Sequence, residues 1–333
     1  LVSNEKGVID WEDRKKELAS LLEKYKSRDG SNYDCIIPVS GGKDSYYQTH
    51  VVAKELGYNP LLVTYNANNY TETGIKNLHN KREVFGVDHI FFTPAVEVLK
   101  SLNRIGVITM GDMNWHAHSG IFTYPIRAAV DMNIPLMIWG EHGRQYVAGM
   151  FSYDDFIEFT YRDRFEHACR SFEWDDILKI AKEQGENIEK RNLIPWMYPS
   201  DEEINRVGVR GIFIANYVEW DENKHTELMK KEYGFLDTGE DFERTYRTMS
   251  NLDDMHENGM HDYLRWVKFG YGRASDHVSK DIRNNHISRK VGIEETLKRD
   301  HVKSKDLKRW LDYVGWSEKK FDEVADTFRD PRV

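Results

Sequence analysis

The hexapeptide SGGKDS occupies residues 40–45 and follows a short apolar run, CIIPV, at residues 35–39. The apolar run has the length of a buried strand, and a helix is expected to start near Asp44 or Ser45, which are both good N-caps. Two glycines let the backbone turn tightly and present N–H groups to an anion without interference from a Cβ atom. The stretch therefore predicts a strand, a turn and a helix whose N-terminal end binds phosphate.

The other residues of this turn offer the groups that a bound nucleotide needs. Lys43 supplies a mobile positive charge, while Ser40 and Ser45 supply hydroxyl donors. Asp44 either caps the helix or helps to hold Mg²⁺ against the phosphates. The spacing is not that of the Walker motif, Gly-x-x-x-x-Gly-Lys-Ser/Thr.

The turn resembles instead the PP-loop of the ATP pyrophosphatase superfamily. Members of that superfamily cleave ATP between its α and β phosphates and use AMP to activate a carbonyl-type oxygen. The end of their second strand cradles adenosine, and the corresponding residues here are Thr64, Tyr65 and Asn66. The resemblance implies that ATP binds to the whole turn, namely Ser40, Gly41, Gly42, Lys43, Asp44 and Ser45.

Strand and helix patterns alternate along the first half of the chain. This alternation predicts an α/β fold with a parallel, doubly wound sheet, followed by a mostly helical C-terminal domain. We expect an N-terminal helix in residues 1–32, a PP-loop ATP-binding domain in residues 33–150, and a helical domain for substrate binding or assembly in residues 151–333. Because ligands bind beyond the C-terminal ends of parallel strands, Glu141 is expected at the same edge as the turn.

The overall composition excludes several classes of protein. A formal net charge of −9 argues against a large nucleic-acid interface, which needs a concentrated basic face. No apolar stretch is long enough for a membrane-spanning helix, and the N-terminus lacks the layout of a signal peptide. Cys35 and Cys169 are the two cysteines, too few for a four-cysteine zinc site. These features favour a cytoplasmic enzyme.

Two carboxylates are candidates for the reacting centre. Asp112 lies in GDMNWHAH at residues 111–118, and Glu141 follows the fourth strand in IPLMIWGEH at residues 134–142. Either carboxylate would bind Mg²⁺ or orient ammonia, and Glu141 would alternatively cap a helix or a loop.

Five other residues are candidates for substrate binding. His116 and His118 alternate, as on one side of an extended segment, and we weigh substrate contact against hydrogen bonding in a loop and against metal binding. Trp115 adjoins them. Lys268 and Arg273 flank a Gly-Tyr-Gly stretch that suits phosphate, either the leaving pyrophosphate of ATP or the diphosphate of a nucleotide substrate.

These blocks, together with HDY at residues 261–263 and TFRDPR at residues 327–332, resemble the N-acetyl sugar amidotransferase family of bacterial surface-polysaccharide biosynthesis. The resemblance implies that ATP and Mg²⁺ serve to adenylate the amide oxygen of an N-acetylated nucleotide sugar. Ammonia then displaces AMP and leaves an acetamidino sugar for lipopolysaccharide (O-antigen) biosynthesis. In this family the ammonia comes from glutamine, through a separate class I glutaminase subunit and a barrel subunit like those of imidazole glycerol phosphate synthase.

The cysteines predict that ammonia comes from outside this chain. Cys35 lies in an apolar strand, and Cys169 has a neighbouring histidine but no glycine-rich nucleophile turn, so both are expected to be buried and structural. The family commonly begins with a cysteine-rich, zinc-binding segment, whereas no cysteine precedes Cys35 here. Ala117 also replaces a cysteine common in the family. Zinc is therefore not expected within these residues.

Two other functions compete with this hypothesis. A PP-loop enzyme that modifies tRNA would need a basic face and, in many thiolases, paired cysteines, and the chain has neither. A non-catalytic subunit of a complex would not need Lys43, Asp44 and Ser45.

Overall fold

The protein is built around a six-stranded sheet. The computed structural model describes residues 7–67, 70–147, 149–239, 242–250 and 255–333, without the side chains of residues 255–257. The strands are β1 (Cys35–Pro38), β2 (Pro60–Tyr65), β3 (His89–Phe92), β4 (Leu136–Trp139), β5 (Glu158–Phe159) and β6 (Arg210–Phe213). Their order in the sheet is β3-β2-β1-β4-β6-β5, and every neighbouring pair is parallel except β6 and β5.

Helices connect the strands and form most of the rest of the chain. In chain order they are α1 (Trp11–Leu22), α2 (Lys43–Thr49), α3 (Glu72–Phe85), α4 (Val96–Met110), α5 (Trp115–Ile121), α6 (Tyr124–Asp131), α7 (Gly143–Tyr146), α8 (Tyr161–Asp163), α9 (Trp174–Glu183), α10 (Asp201–Val207), α11 (Glu222–Tyr233), α12 (Met255–Phe269), α13 (Arg273–Arg283), α14 (Arg289–Arg299), α15 (Leu307–Val314) and α16 (Glu318–Asp326). Among the described helices, none combines the length and the apolar character that crossing a lipid bilayer requires.

Both faces of the sheet are buried under helices. Ile37 and Ile138 belong to the cluster that includes Leu18 of α1, whereas Ile36 and Met137 pack with apolar residues of α6. Successive strand residues point to opposite faces, so these neighbours in sequence fill two separate cores. The α/β, doubly wound fold predicted from the sequence is therefore confirmed, and so is the helical C-terminal region.

The sheet extends beyond residue 150, and the sequence analysis missed this. β5 and β6 lie in the segment that was predicted to be mostly helical. The strand β6 begins with Arg210 and Gly211, which have little preference for strands. Gly211 is nevertheless required, because a Cβ atom there would lie 2.9 Å from the Cβ of Phe159 and 3.0 Å from Nε1 of Trp139. Packing between neighbouring strands, and not local preference, explains this strand.

The C-terminal helices pack against α4. Val107 of α4 shares a core with Leu264 of α12 and with α15 and α16. The indole of Trp310 donates a hydrogen bond to Oδ1 of Asn103 (2.9 Å), and Nη1 of Arg104 donates to the carbonyl of Val314 (3.1 Å). Through these contacts, the C-terminal region becomes part of the wall that faces the predicted PP-loop.

Candidate active site

The turn at residues 40–45 joins β1 to α2, as the sequence predicted. The hydroxyl of Ser45 donates to the carbonyl of Ser40 (2.8 Å) and accepts from its N–H (3.2 Å), while the N–H of Gly42 donates to Oγ of Ser40 (3.2 Å). The helix begins at Lys43 with Gly42 as its N-cap and has no side-chain cap. Asp44 and Ser45 are thus not the caps that were expected, since the Ser45 hydroxyl is turned back onto the loop.

Helix α3 holds the turn from behind. A Cβ atom on Gly41 would lie 2.5 Å from the carbonyl oxygen of Gly74, so only glycine fits there. The amide of Asn77 donates to the carbonyl of Gly41 (3.1 Å). The buried Lys81 donates from Nζ to the carbonyl of Ser40 (2.6 Å) and to Oγ of Ser45 (2.7 Å). The sequence analysis did not identify Asn77 or Lys81, because they read as ordinary positions of a surface helix.

The turn opens into a cavity of about 510 Å³, which we call the PP-loop cavity. Its walls come from the turn, from the end of β2, from α5, and from the C-terminal region. The residues that line it include Val39, Ser40, Gly42, Lys43, Asp44, Tyr65, Tyr70, Ala117, His118, Ile121, Glu141, Glu222, Ser250, Asn258, Arg273, His277 and Lys280.

Three carboxylates meet in this cavity. Asp44, Glu141 and Glu222 each offer an oxygen, and these atoms lie within 4.8 Å of one another. The sequence analysis predicted Asp44 and Glu141 as metal ligands but missed Glu222. Oδ1 of Asp44 is buried and has no hydrogen-bond partner among the described residues, whereas Oδ2 accepts from Nζ of Lys43 (2.6 Å). Clustered carboxylates with a free buried oxygen suit a hard divalent cation such as Mg²⁺.

The three carboxylates differ in their electrostatic surroundings. Burial and the neighbouring Asp44 carboxylate raise the pKa of Glu141 to about 7. Burial would also raise the pKa of Glu222, but Lys280, Lys43 and Arg247 outweigh it and hold that pKa well below its usual range. Nζ of Lys280 lies 2.6 Å from Glu222, which also pairs with Arg247. Glu141 is therefore the carboxylate that exchanges a proton near neutral pH.

Helix α13 turns a basic face towards the cavity. Arg273, His277 and Lys280 are spaced by four and three residues and all line it, as expected for one face of a helix. Nε of Arg273 donates to Oδ2 of Asp262 (3.0 Å), and Nδ1 of His277 lies 2.5 Å from Oγ1 of Thr245. The sequence analysis predicted Arg273 in a binding loop, but this residue begins a helix.

Lys268 is not brought to this basic face. It lies near the end of α12, and its Nζ donates to the carbonyl of Met110 (3.4 Å). Burial lowers its pKa to about 8. It is absent from the described residues that line the cavity, so the structure does not bring it together with Arg273.

Residues 115–118, which include both histidines, belong to helix α5, and this corrects the extended segment expected for them. Successive histidines on α5 point in different directions, and only His118 lines the cavity. His116 is buried between the hydroxyl of Tyr65 (3.3 Å from Nδ1) and the amide of Asn103 (3.1 Å from Nε2). The indole of Trp115 is also buried and donates to the carbonyl of Cys169 (3.2 Å). Trp115 and His116 thus belong to the core and not to the cavity wall.

Asp112 lies behind this wall. Burial would raise its pKa, but His261 and Arg170 outweigh that effect and hold the pKa well below the usual range. Oδ1 of Asp112 accepts from Nδ1 of His261 (2.8 Å), and Oδ2 pairs with Arg170. The His261 ring in turn lies edge-on to His118, 5.4 Å between centroids. The expected place of Asp112 at the reacting centre is corrected, because its partners bind it inside the protein.

The end of β2 borders a second cavity of about 300 Å³, the strand-end cavity, which adjoins the first. Val39, Tyr65, Trp139 and Glu141 are among the residues that line it. The neighbours of Tyr65 are engaged elsewhere: Oγ1 of Thr64 donates to the carbonyl of Val39 (2.7 Å), and the amide of Asn66 donates to Oγ1 of Thr93 (3.1 Å). Of the three residues predicted to hold adenosine, Tyr65 is the one that borders both cavities.

The contact between Gly41 and Gly74 predicts unequal effects of alanine at the two glycines. Gly41→Ala is expected to lower the free energy of unfolding by about 1–3 kcal/mol, because the new methyl group meets backbone. Gly42→Ala is the matched control, since the nearest atom to its Cβ is Oγ of Ser40 at 3.3 Å. Urea unfolding of both variants measures the difference. Equal free energies of unfolding would contradict the close contact between Gly41 and the backbone of Gly74.

The raised pKa of Glu141 predicts a pH-dependent stability. The pKa of Glu141 in the folded protein, about 7, exceeds its ordinary value of 4.5. The contribution of this group to the free energy of unfolding is therefore fully present below pH 4.5 and is lost as the pH rises through 7. In EDTA, the free energy of unfolding of Glu141→Gln, relative to that of the wild type, is therefore expected to rise by about 2 kcal/mol between pH 5 and pH 8. Urea titrations at both pH values test this, with the exposed Glu202→Gln as control; parallel behaviour of all three proteins would refute it.

The C-terminal part of the chain matches a known protein family. Residues 240–333 match the model of the C-terminal domain of WbpG-like lipopolysaccharide (LPS) biosynthesis proteins. No curated protein matches the chain in sequence.

The chain is structurally similar to several solved structures. One is NMN synthetase from Francisella tularensis, with 13% sequence identity and a TM-score of 0.34, where the match covers 60% of this chain and 93% of that one. The NH3-dependent NAD synthetase from Campylobacter jejuni subsp. jejuni has 12% identity, a TM-score of 0.33, and coverage of 60% and 92%. The U34-tRNA thiolase NcsA from Methanococcus maripaludis has 14% identity, a TM-score of 0.30, and coverage of 67% and 75%.

With TM-scores this low, the fold assignment rests on the strand order and on the turn described above. The family match stands independently of these structures, and it covers α12 to α16, including the basic face of α13. It agrees with the family resemblance predicted from the sequence. Residues 240–333 are thus similar to the C-terminal domain of WbpG-like lipopolysaccharide biosynthesis proteins.

Proposed function

We propose that this protein is an ATP-dependent amidotransferase that converts the N-acetyl group of a nucleotide sugar into an acetamidino group during lipopolysaccharide biosynthesis. One observation carries the proposal. The segment that matches a lipopolysaccharide biosynthesis domain supplies Arg273, His277 and Lys280 to the same cavity as the PP-loop turn. The PP-loop turn and the basic face of the family-matched segment thus line one cavity.

The nucleotide fits this site in one orientation. The start of α2 and Lys43 would receive the phosphates, because a helix N-terminus and an ammonium group both attract anions. Burial would lower the pKa of Lys43, but Asp44 and Glu222 outweigh it and raise the pKa, so the side chain stays charged. The strand-end cavity, bordered by Tyr65 and Trp139, would receive the adenosine.

Asp44 and Glu222 would hold Mg²⁺, since this ion is usually bound by one or two carboxylates together with substrate phosphates. When bound, this ion would neutralise part of the negative charge of the phosphates. The remaining carboxylate, Glu141, has a pKa of about 7 and is suited to accept a proton from the attacking nitrogen.

The reaction then has two steps. In the first, the amide oxygen of the acetyl group attacks the α-phosphorus, the bond from that phosphorus to the bridging oxygen breaks, and pyrophosphate leaves. In the second, ammonia adds to the activated carbon and gives up a proton, and the carbon–oxygen bond breaks. AMP leaves with the former amide oxygen, and the acetamidino sugar remains. The cationic face of α13 would attract either the pyrophosphate or the nucleotide diphosphate of the sugar.

The nitrogen is proposed to come from a partner, as a class I glutaminase needs a reactive cysteine. Cys35 and Cys169 are both buried, and burial raises the pKa of each thiol. A thiol that stays protonated is a poor nucleophile. This supports an external source of nitrogen, for which we propose a separate glutaminase and an ammonia-channelling barrel subunit as partners.

The proposed reaction predicts the fate of one oxygen atom. With ammonium, ATP and a panel of N-acetylated UDP and CMP sugars, at least one sugar is expected to yield AMP and pyrophosphate in equal amounts. If its acetyl group carries ¹⁸O, mass spectrometry will find the label in AMP. Lys43→Ala is expected to slow turnover at least 100-fold, because it removes charge stabilisation at the phosphates.

Two outcomes of this assay would contradict the proposed reaction. AMP that carries no label would exclude activation of the amide oxygen. The absence of pyrophosphate with every sugar of the panel, for wild type and Lys43→Ala alike, would refute the proposed function.

The buried cysteines predict the nitrogen source. The purified chain is expected to catalyse the reaction with ammonium salts but not with glutamine. Cys169→Ser is expected to keep most of the ammonium-dependent rate. Glutamate release, measured enzymatically, is the direct test. Release of glutamate by the chain alone would contradict the need for a glutaminase partner.

A further inference from the structure

A third cavity, of about 300 Å³, lies behind the PP-loop cavity, and we call it the rear cavity. Two of its residues, His118 and Glu141, also line the PP-loop cavity. A ligand in the rear cavity would therefore face the carboxylate cluster across these two side chains. Burial lowers the pKa of His118 to about 3, so its ring is uncharged at neutral pH.

The rear cavity has an aromatic wall. Phe122 and Phe159 stack with nearly parallel rings, 5.6 Å between centroids, and Trp139 packs against both, 5.0 Å from Phe122 and 5.1 Å from Phe159. Phe213 lines the cavity as well. Aromatic walls with few polar groups are typical of sites for small ligands of mixed polarity.

Two polar atoms of this wall, Nε1 of Trp139 and Nδ1 of His142, lack a hydrogen-bond partner among the described residues. His142 is 5% exposed, and its Nδ1 atom is buried without a hydrogen bond among the described residues. Its ring packs edge-on against Phe213, 4.8 Å between centroids, which fixes its orientation. Leaving a buried polar atom unpaired is costly, so this position is explained if a ligand supplies the missing hydrogen bond. At the rim, Arg144 pairs with Asp163 (2.6 Å).

The volume of the cavity distinguishes between the reactants. Ammonia is close in size to water, which occupies about 30 Å³ in the liquid, so the rear cavity is far too large to be shaped around it. About 300 Å³ is the lower limit of typical ligand pockets and suits a single ring with its substituents. The adenosine of ATP already has the strand-end cavity beside the PP-loop turn.

We propose that the rear cavity binds the N-acetylated sugar ring of the acceptor, with its acetamido group towards Glu141 and its apolar face on Phe122 and Phe159. This inference rests on the proposed function and adds the place where the acceptor binds. His142 donates to, or accepts from, a hydroxyl or amide group of the sugar through Nδ1. The acetamido group then lies next to His118 and Glu141, the two side chains through which the rear cavity adjoins the PP-loop cavity.

The test uses the panel sugar that gives pyrophosphate and two variants of the rear cavity. His142→Phe removes the ring nitrogens at similar size, and Phe159→Ala removes part of the aromatic wall. Each is expected to raise the KM for the sugar about tenfold, the effect of one lost contact, while the KM values for ATP and ammonium change less than twofold. Phe165→Ala is the control, because this ring stacks on Tyr161 and does not line the cavity.

Any other pattern of KM values would refute sugar binding in the rear cavity, and each pattern would point to a different conclusion. A higher KM for ammonium alone would make the rear cavity the path of ammonia, and a higher KM for ATP alone would make it the adenosine site. Unchanged KM values in both variants would exclude it from substrate binding. If Phe159→Ala does not fold, Phe159→Leu takes its place. A wild type without activity on any sugar would refute the proposed function itself, which is a separate outcome.

Discussion

The packing of three carboxylates within 4.8 Å of one another is the constraint on which the active site depends. Like charges at such a distance in a partly buried site repel strongly unless cations offset them. Lys43 supplies one positive charge from the turn, while Arg247 and Lys280 supply two from the C-terminal region. The cluster therefore ties the start of α2 to segments more than 200 residues away. Because Lys43 and Lys280 also line the PP-loop cavity, the same interaction organises both the structure and the cavity wall.

The sequence allowed the first four strands and the turn to be predicted because these depend on local signals. The apolar runs, the glycines and the rhythm of strands and helices are all visible within short windows. Glu141 was found for a different reason: parallel strands end at a common edge, so a polar residue after β4 must lie near the turn after β1. Topology, once predicted, carried information between distant parts of the chain.

The residues that were missed give no such local signal. Glu222 follows the N-cap Asp221 and reads as an ordinary acidic residue in the first turn of a helix. Lys81 reads as a surface lysine of α3, although it is completely buried beneath the turn. His277 and Lys280 become significant only when the rotation of α13 about its axis is known. Tertiary packing sets that rotation, so no window of sequence contains it.

The support of the PP-loop turn by α3 has a consequence for how binding energy is used. When a flexible loop becomes ordered around phosphate, the entropy lost by its backbone offsets part of the favourable free energy of the contacts. Here, the carbonyl of Ser40 and the hydroxyl of Ser45 are already held by Lys81, and Gly41 is held by Asn77. Little conformational freedom would remain to be lost on binding the nucleotide that we propose as its ligand. The contacts with its phosphates are thus free to act on affinity and on the geometry of the reacting bond, which is the thermodynamic advantage of a preorganised receptor.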